Sequence, residues 1–194
     1  MIHPVRRDRK HRYWIPGPSG EVRVPGFTEI STALGIIKPN PNWTLEGSAK
    51  GTALHQWLAL LASGKSTADI PDPRIATKVQ VIRNFVDRSG FKFVGGETPQ
   101  YDPVTDVAVT PDLWGYIGNW SCVIEAKSGS AEDYHFEQSA CQKINLRANG
   151  FDAQKRFALY LKKNVYRLVE HADRRDLDRW RRHAYDYHKN KSQK

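Results

Sequence analysis

Cysteine is scarce in this sequence, and its scarcity argues against several classes of protein. The 194-residue chain has only two cysteines, Cys122 and Cys141, and they do not form a C-x-x-C pair. A disulfide framework, a zinc site or an iron–sulfur cluster needs more cysteines or closer spacing. We therefore expect no iron–sulfur cluster, and we predict that both cysteines are small core residues of a protein in a reducing compartment.

Long apolar runs are missing as well. No segment approaches the roughly 18 apolar residues that a membrane-spanning helix needs. The first residues, MIHPVRRDRKHR, are basic and lack the apolar centre of a signal peptide. We therefore expect a cytoplasmic protein that does not enter membranes. No G-x-x-x-x-G-K-[S/T] motif occurs either, so unwinding of a duplex would need a helicase or recombination partner.

Acidic residues are fewer than basic ones. The chain has 21 aspartates and glutamates against 30 lysines and arginines, which gives a formal charge of +9. Such an excess favours a polyanionic partner, with nucleic acid first, because neutralised phosphates release their counterions. A basic surface without a specific partner explains the charge equally well.

The apolar pattern predicts one α/β domain over residues 1–194, with a basic arm at 1–12 and a basic helix and tail at 171–194. A short helix capped by Thr28 should end at Gly35 and lead into a loop over 36–43. Three longer helices should end near Gly64, Gly90 and Gly150. Hairpins are predicted around 12–26 and 156–171, with further strands from residue 91 onward.

The stretch VTPDLWGYIGNWSCVIEAKSG, which starts at Val109, suggests a hairpin with an unusual polar face. With Gly118 in a two-residue type II′ turn, Ile117 faces Trp120. The same register places Asp112 directly opposite Glu125, with Cβ atoms about 5 Å apart.

Lys127 lies on the face of the two carboxylates, while the other face of the hairpin is apolar and should pack on helices. Like charges placed opposite each other destabilise a sheet, so Asp112 and Glu125 need solvent, a shared proton or a cation between them. A solvated face with a Glu–Lys ion pair is the alternative to a functional site.

The motif TPD, followed by EAK on the next strand, resembles the motif of the PD-(D/E)XK nuclease superfamily. The segments GTALH and GGETP come before it and HFEQSACQ comes after it. This ordered set resembles RecB-type nuclease domains, including phage exonucleases and the mitochondrial genome maintenance exonuclease group. The resemblance covers most of the chain and implies an α/β, restriction-endonuclease-like core, in which a central mixed β-sheet is flanked by helices.

The resemblance also implies a metal site. Asp112 and Glu125 would be the carboxylate ligands of a divalent cation, and the backbone carbonyl of Ala126 and the side chain of His55 would complete the shell. Oxygen-rich sites of this kind suit Mg²⁺ or Mn²⁺. Taken alone, His55 would more often be a structural histidine.

Other residues correspond to further family positions. Lys127 would be the catalytic lysine, which orients or helps to deprotonate water and stabilises charge on the phosphate. Gln138 matches the glutamine of the family's Q-x-x-x-Y motif, but Gln142 stands at the tyrosine position, which puts that residue's role in question. Glu97 matches an acidic position that supports the metal or a neighbouring side chain, and a plain surface role fits it equally well.

Several residues are candidates for contact with nucleic acid. Trp114 and Tyr116 share the carboxylate face and can stack on bases, although aromatic residues in such positions more often pack beneath a neighbouring element. Basic side chains near both ends of the chain can follow phosphates, and they include Arg6, Arg7, Arg174 and Arg175. A solvated basic face is the alternative for each of these clusters.

The resemblance implies a Mg²⁺- or Mn²⁺-dependent deoxyribonuclease of the kind found in phages and in DNA recombination and repair. We expect an exonuclease that hydrolyses phosphodiester bonds of single-stranded or end-opened DNA. A structure-specific or restriction-like endonuclease is one alternative, and a catalytically silent nucleic-acid-binding module is the other.

Overall fold

The computed structural model describes residues 2–38, 44–65 and 72–193, so most of the loop predicted at 36–43 lies outside it. The helices are α1 (Phe27–Ala33), α2 (Leu45–Ala62), α3 (Ala76–Ser89), α4 (Tyr134–Ala148) and α5 (Arg175–Ser192), and a 3₁₀ turn at Pro73–Ile75 precedes α3. The strands are β1 (Arg6–Arg7), β2 (Tyr13–Gly17), β3 (Gly20–Val24), β4 (Lys92–Gly95), β5 (Gln100–Asp102), β6 (Val107–Val109), β7 (Leu113–Ile117), β8 (Trp120–Lys127), β9 (Lys155–Leu161) and β10 (Tyr166–Glu170).

A five-stranded mixed sheet forms the centre of the fold, with the strand order β10-β9-β8-β7-β4. Strands β8 and β9 are parallel and the other neighbours are antiparallel. Parallel neighbours need a crossover connection, and α4 supplies it between β8 and β9. The α/β class with a central mixed sheet flanked by helices is confirmed.

The hairpin of β7 and β8 has the predicted register. Ile117 pairs with Trp120 across the turn, and Leu113 pairs with Ile124 at the far end of the ladder. Gly118 has a φ of 57°, as the predicted turn requires. The register carries Asp112 to the position opposite Glu125, where Oδ2 of Asp112 accepts a hydrogen bond from the N–H of Ala126 at 2.7 Å.

The apolar face of this hairpin packs on α2 and α3, as predicted. The buried side chains of this cluster include Trp57, Leu58, Ile82, Phe85, Leu113, Cys122, Ile124 and Leu159. Each large apolar side chain buried in this way stabilises the fold by about 1.5–3 kcal/mol. Both cysteines are free and buried, which confirms that they are core residues.

Helices α4 and α5 cover the opposite side of the fold. Trp180 and Ala184 of α5 are buried against Phe27 of α1 and Val107 of β6, which confirms the amphipathic C-terminal helix. The prediction that Thr28 caps α1 is wrong, because the helix begins at Phe27 with Gly26 as its N-cap. Burial of the Phe27 ring against Trp180, at a centroid distance of 5.0 Å, fixes this early start.

Part of the basic arm belongs to a second, three-stranded sheet of β1, β2 and β3. Contacts with the segment around the TPD motif help to attach this sheet to the domain. Gly26 forms a bridge with Ala108, and the hydroxyl groups of Tyr13 and Thr110 lie 3.0 Å apart. Since Thr110 precedes Asp112 by two residues, the small sheet lies beside the TPD motif.

No helix among residues 2–38, 44–65 and 72–193 is long and apolar enough to cross a membrane.

Candidate active site

Residues of the TPD and EAK motifs line one cavity of about 520 Å³. Its lining combines four carboxylates, those of Glu29, Glu97, Asp112 and Glu125, with basic and amide side chains. The lining residues relevant to the chemistry are Arg7, His11, Arg12, His55, Glu97, Asp112, Glu125, Lys127 and Gln138. The cavity therefore joins segments that are far apart in the sequence.

His55, Glu97 and Asp112 form a compact group in which one ligand atom from each residue lies within 4.8 Å of the others. Nδ1 of His55 donates a hydrogen bond to Oε1 of Glu97 at 2.5 Å and lies 3.2 Å from Oδ1 of Asp112. Helix α2 supplies the histidine, and the segment after β4 supplies Glu97. Imidazole and carboxylate donors in this arrangement can hold a divalent cation.

The glycines of the GGE segment explain how Glu97 reaches the group. A Cβ atom at Gly96 would lie 2.4 Å from the backbone oxygen of Asp112 and 2.8 Å from the Cβ of Ala62. Glu97 has a φ of 50°, an uncommon left-handed conformation for a residue with a side chain. The close approach of the backbone therefore requires glycine before Glu97.

Glu125 lies in a second polar cluster formed by β8 and α4. Its Oε1 accepts hydrogen bonds from Nζ of Lys127 at 2.8 Å and from Nε2 of Gln138 at 2.6 Å. Its Oε2 accepts one from the side-chain amide of Gln142. The Lys127 ammonium also donates to Oε1 of Gln138 at 2.8 Å. Glu125 is therefore held in place by three side chains.

Burial and neighbouring charge set the proton affinities in the cavity. The Asp112 carboxylate raises the pKa of His55 to about 11, although burial acts in the opposite direction. Burial acts to raise the pKa of Asp112, but the charges of His55 and Lys127 outweigh this effect. The pKa of Asp112 therefore lies below its usual value. Burial raises the pKa of Glu97 to about 7.

Burial and neighbouring charges also compete in setting the pKa values of Glu125 and Lys127. Burial and the nearby Asp112 carboxylate raise the pKa of Glu125 despite the adjacent ammonium. Burial alone would lower the pKa of Lys127, but Glu125 and Asp112 outweigh that effect and raise it. Lys127 is thus a cation at neutral pH.

The predicted site residues fall into two groups around Asp112. His55 lies beside Asp112, while Lys127 and Gln138 contact Glu125. Glu97, predicted to be either a support or a surface residue, makes the shortest contact with His55. The Ala126 N–H bonds to Asp112, and a role for its carbonyl as a metal ligand stays a prediction.

The aromatic and arginine candidates differ in their positions. Trp114 is 8% exposed and packs with Val123 and Leu146, so it cannot stack on a base, and the packing alternative is correct. The reason is that α4 covers this part of the carboxylate face. Tyr116 is 40% exposed and makes an edge contact with Phe151.

Among the four arginine candidates, only Arg7 lines the cavity. Arg6 forms an ion pair with Glu21 at 2.5 Å. Arg175 forms one with Asp173 at 2.8 Å, and Arg174 is the N-cap residue of α5. Arg6, Arg174 and Arg175 stay candidates for phosphate contact at a distance from the carboxylates.

Sequence reasoning missed several lining residues, including His11, Tyr13, Thr52, Gln56 and Thr110. They come from the small sheet, from α2 and from the residue before Pro111. The position of His11 among basic residues could have suggested that it belongs to the site. The other residues have no feature in the sequence that indicates a functional role.

A comparison with protein-family models gave no match, and a comparison with curated protein sequences gave none.

Proposed function

We propose that this protein is a Mg²⁺- or Mn²⁺-dependent deoxyribonuclease that degrades single-stranded or end-opened DNA from its ends. The observation that carries the proposal is the position of Lys127, whose ammonium lies 2.8 Å from Glu125 in the cavity that also holds Asp112, Glu97 and His55. A carboxylate cluster with an adjacent buried cation supplies both a site for a metal and a charge for a phosphate.

In this proposal His55, Glu97 and Asp112 would hold the metal, with Glu125 and the carbonyl of Ala126 as further ligands. The donor set fits the ion, because hard oxygen ligands and one imidazole suit Mg²⁺ or Mn²⁺. The bound metal would act as a Lewis acid and lower the pKa of a coordinated water. Metal binding would require a deprotonated nitrogen on His55, so the His55 proton would leave and a bound cation would replace it as the counter-charge to Asp112.

Lys127 then acts as a charged group. Because its pKa is raised, the ammonium is present at neutral pH and stabilises negative charge that grows on the phosphate oxygens. A role as general base would need the opposite shift. Gln138 fixes the ammonium through its carbonyl oxygen and fixes Glu125 through its amide.

The charge of +9 supports a nucleic-acid substrate, since phosphate contacts give affinity that does not depend on sequence. The chain carries no ATP-binding motif, so we propose that a helicase or recombination partner opens duplex substrates. The two buried free cysteines fit a reducing cytoplasm as the place of action.

The distinguishing experiment compares three substrates at low salt with Mn²⁺: an end-labelled linear single strand, its duplex and a covalently closed single-stranded circle. The proposal predicts short products from the linear strand and an intact circle. Equally rapid cutting of the circle would indicate an endonuclease. No cutting by folded, metal-bound protein would indicate a silent binding module.

A further inference from the structure

The small sheet supplies a basic rim to the cavity. Arg7, His11 and Arg12 all line it, together with the carboxylates of the site. The rim is attached beside the TPD motif through the contact of Tyr13 with Thr110. A volume of about 520 Å³ lies in the range of pockets that enclose a small ligand, roughly 300–1,000 Å³. The cavity therefore has room for a nucleotide.

Arg7 has no acidic partner, in contrast to three other arginines of the small sheet. The arginines at positions 6, 12 and 23 form ion pairs with Glu21, Asp8 and Glu29. Among the residues that the structure describes, no carboxylate oxygen lies within 4.0 Å of the Arg7 guanidinium, and its buried Nε has no hydrogen-bond partner. A half-buried guanidinium without a carboxylate is suited to an anionic ligand.

The turn between β1 and β2 is built around Asp8. Oδ1 of Asp8 accepts hydrogen bonds from the N–H groups of Lys10 and Arg12, each at 2.9 Å, and Oδ2 accepts one from Nε of Arg12 at 2.8 Å. Within this turn His11 has a φ of 59°, in the left-handed region that residues with side chains rarely adopt. The turn therefore holds His11 at the rim in one conformation.

The contact between Arg7 and His11 fixes the proton on the imidazole. Nη2 of Arg7 lies 2.8 Å from Nδ1 of His11. A guanidinium has only donors, so Nδ1 must accept this hydrogen bond. Burial and the Arg7 charge lower the pKa of His11, so the ring is neutral and its proton lies on Nε2. Arg7 and His11 therefore both present N–H donors.

We propose that Arg7 and His11 form a phosphate subsite that binds a phosphodiester group next to the one being cleaved. This inference rests on the proposed function, and it adds a specific contact between the cavity and the DNA substrate. The carboxylates would hold the cation, and the forked guanidinium of Arg7 would hold a neighbouring phosphate in the same cavity. Such a contact orients the strand without reading its bases.

Arg6 offers a matched control for Arg7. The two residues are adjacent on β1 and point to opposite faces, and only Arg7 lines the cavity. The experiment uses Arg7→Ala, Arg7→Lys, His11→Gly and Arg6→Ala in the full chain, with glycine at position 11 because it tolerates the positive φ. Thermal melting verifies that each variant is folded.

Binding of a fluorescent single-stranded oligonucleotide is measured by anisotropy in EDTA over a series of salt concentrations. Arg7→Ala should weaken binding by about 10- to 100-fold, as loss of a charged hydrogen bond does, and make the salt slope shallower by about 0.7. His11→Gly should weaken binding by about two- to tenfold. The affinity of Arg7→Lys should fall between those of wild type and Arg7→Ala, and Arg6→Ala, which removes the same charge outside the cavity, should lose clearly less affinity than Arg7→Ala.

Equal losses in Arg6→Ala and Arg7→Ala would mean diffuse attraction and would overturn the subsite, as would unchanged binding by Arg7→Ala. Cleavage in Mn²⁺ is measured separately. If Arg7 governs binding but wild type never cleaves, the nuclease proposal fails and the phosphate contact stands. If wild type cleaves and Arg7→Ala cleaves and binds equally well, the subsite fails and the nuclease proposal stands.

Discussion

Gln142 of α4 donates a hydrogen bond from its side-chain amide to Oε2 of Glu125, and both residues are buried. Gln138, one helical turn earlier, donates to the other oxygen of the same carboxylate. Two amides on one helix face thus satisfy one carboxylate on the adjacent strand. Gln142, whose role the sequence left in question, thus has a definite structural partner.

Replacing Gln142 with leucine should destabilise the protein in a pH-dependent way. The substitution keeps the size of the side chain but leaves Oε2 of Glu125 without its donor, which costs about 1–3 kcal/mol for a buried group. Protonation of Glu125 relieves part of that cost, so the difference in unfolding free energy should shrink at acidic pH. Urea unfolding of wild type and Gln142→Leu at two pH values measures this difference. Gln80→Leu, on the exposed side of α3, is the control; equal effects at both sites would contradict the assigned role.

Lys127→Ala should remove activity without unfolding the protein. Loss of a charge that stabilises the transition state lowers turnover by about two or more powers of ten. Single-turnover cleavage and Mn²⁺ titration of the same preparation separate chemistry from metal binding. Lys155→Ala, which breaks the exposed pair with Glu170, should keep normal turnover. Near-normal turnover of Lys127→Ala would remove Lys127 from the mechanism.

Glu97→Gln should weaken Mn²⁺ binding, because Glu97 belongs to the group that can hold the ion. The expected loss is about tenfold or more, the scale seen when even a supporting group of a metal site is removed. Isothermal titration calorimetry gives the affinity directly. Glu29→Gln is the control, since Glu29 lines the same cavity but bonds to Arg23 and Tyr187. If the two variants bind Mn²⁺ equally, Glu97 is not a ligand.

Two buried histidines should make the fold sensitive to acid. Burial, together with the Arg156 charge, lowers the pKa of His171 to about 4. Burial, together with the Lys127 charge, lowers the pKa of His135 to about 3. Both values lie below that of an unfolded histidine, about 6.5, so the unfolded state binds more protons in this range and stability falls as the pH drops through 6.5.

Each of these two histidines should lower the free energy of unfolding by on the order of 2 kcal/mol between pH 7.5 and pH 5. Guanidinium unfolding across this range measures the loss in wild type and in His171→Gln and His135→Gln. Each variant should show a flatter dependence on pH than wild type. Parallel curves for wild type and both variants would show that neither histidine causes the acid sensitivity.

The predictable part of the site lies on two adjacent strands. A two-residue turn at Gly118 fixes the register of β7 and β8, so the positions of Asp112, Glu125 and Lys127 follow from the sequence alone. The apolar alternation of the same strands predicts which face the helices cover. Local geometry of this kind needs no knowledge of the rest of the fold.

The parts that could not be predicted depend on contacts between distant segments. Glu97 joins His55 because Gly96 allows the chain to approach the backbone of Asp112, and a glycine pair alone does not reveal its neighbour. Arg7 reaches the cavity because β1 pairs with β2 around Asp8. Trp114 is buried because Leu146 of α4 covers it. In each case a packing partner decides the role.

The most direct test of the central claim measures nucleotide release from linear single-stranded DNA by wild type and by Asp112→Asn, with Mn²⁺ or with EDTA. Asp112 belongs to the group that can hold the metal and accepts a hydrogen bond from the N–H of Ala126, next to Glu125, so its loss should abolish the metal site. Wild type should release nucleotides only with Mn²⁺, and Asp112→Asn should be at least about 100-fold slower while folded. Equal release by both proteins, or no release by folded, Mn²⁺-bound wild type, would contradict a metal-dependent nuclease.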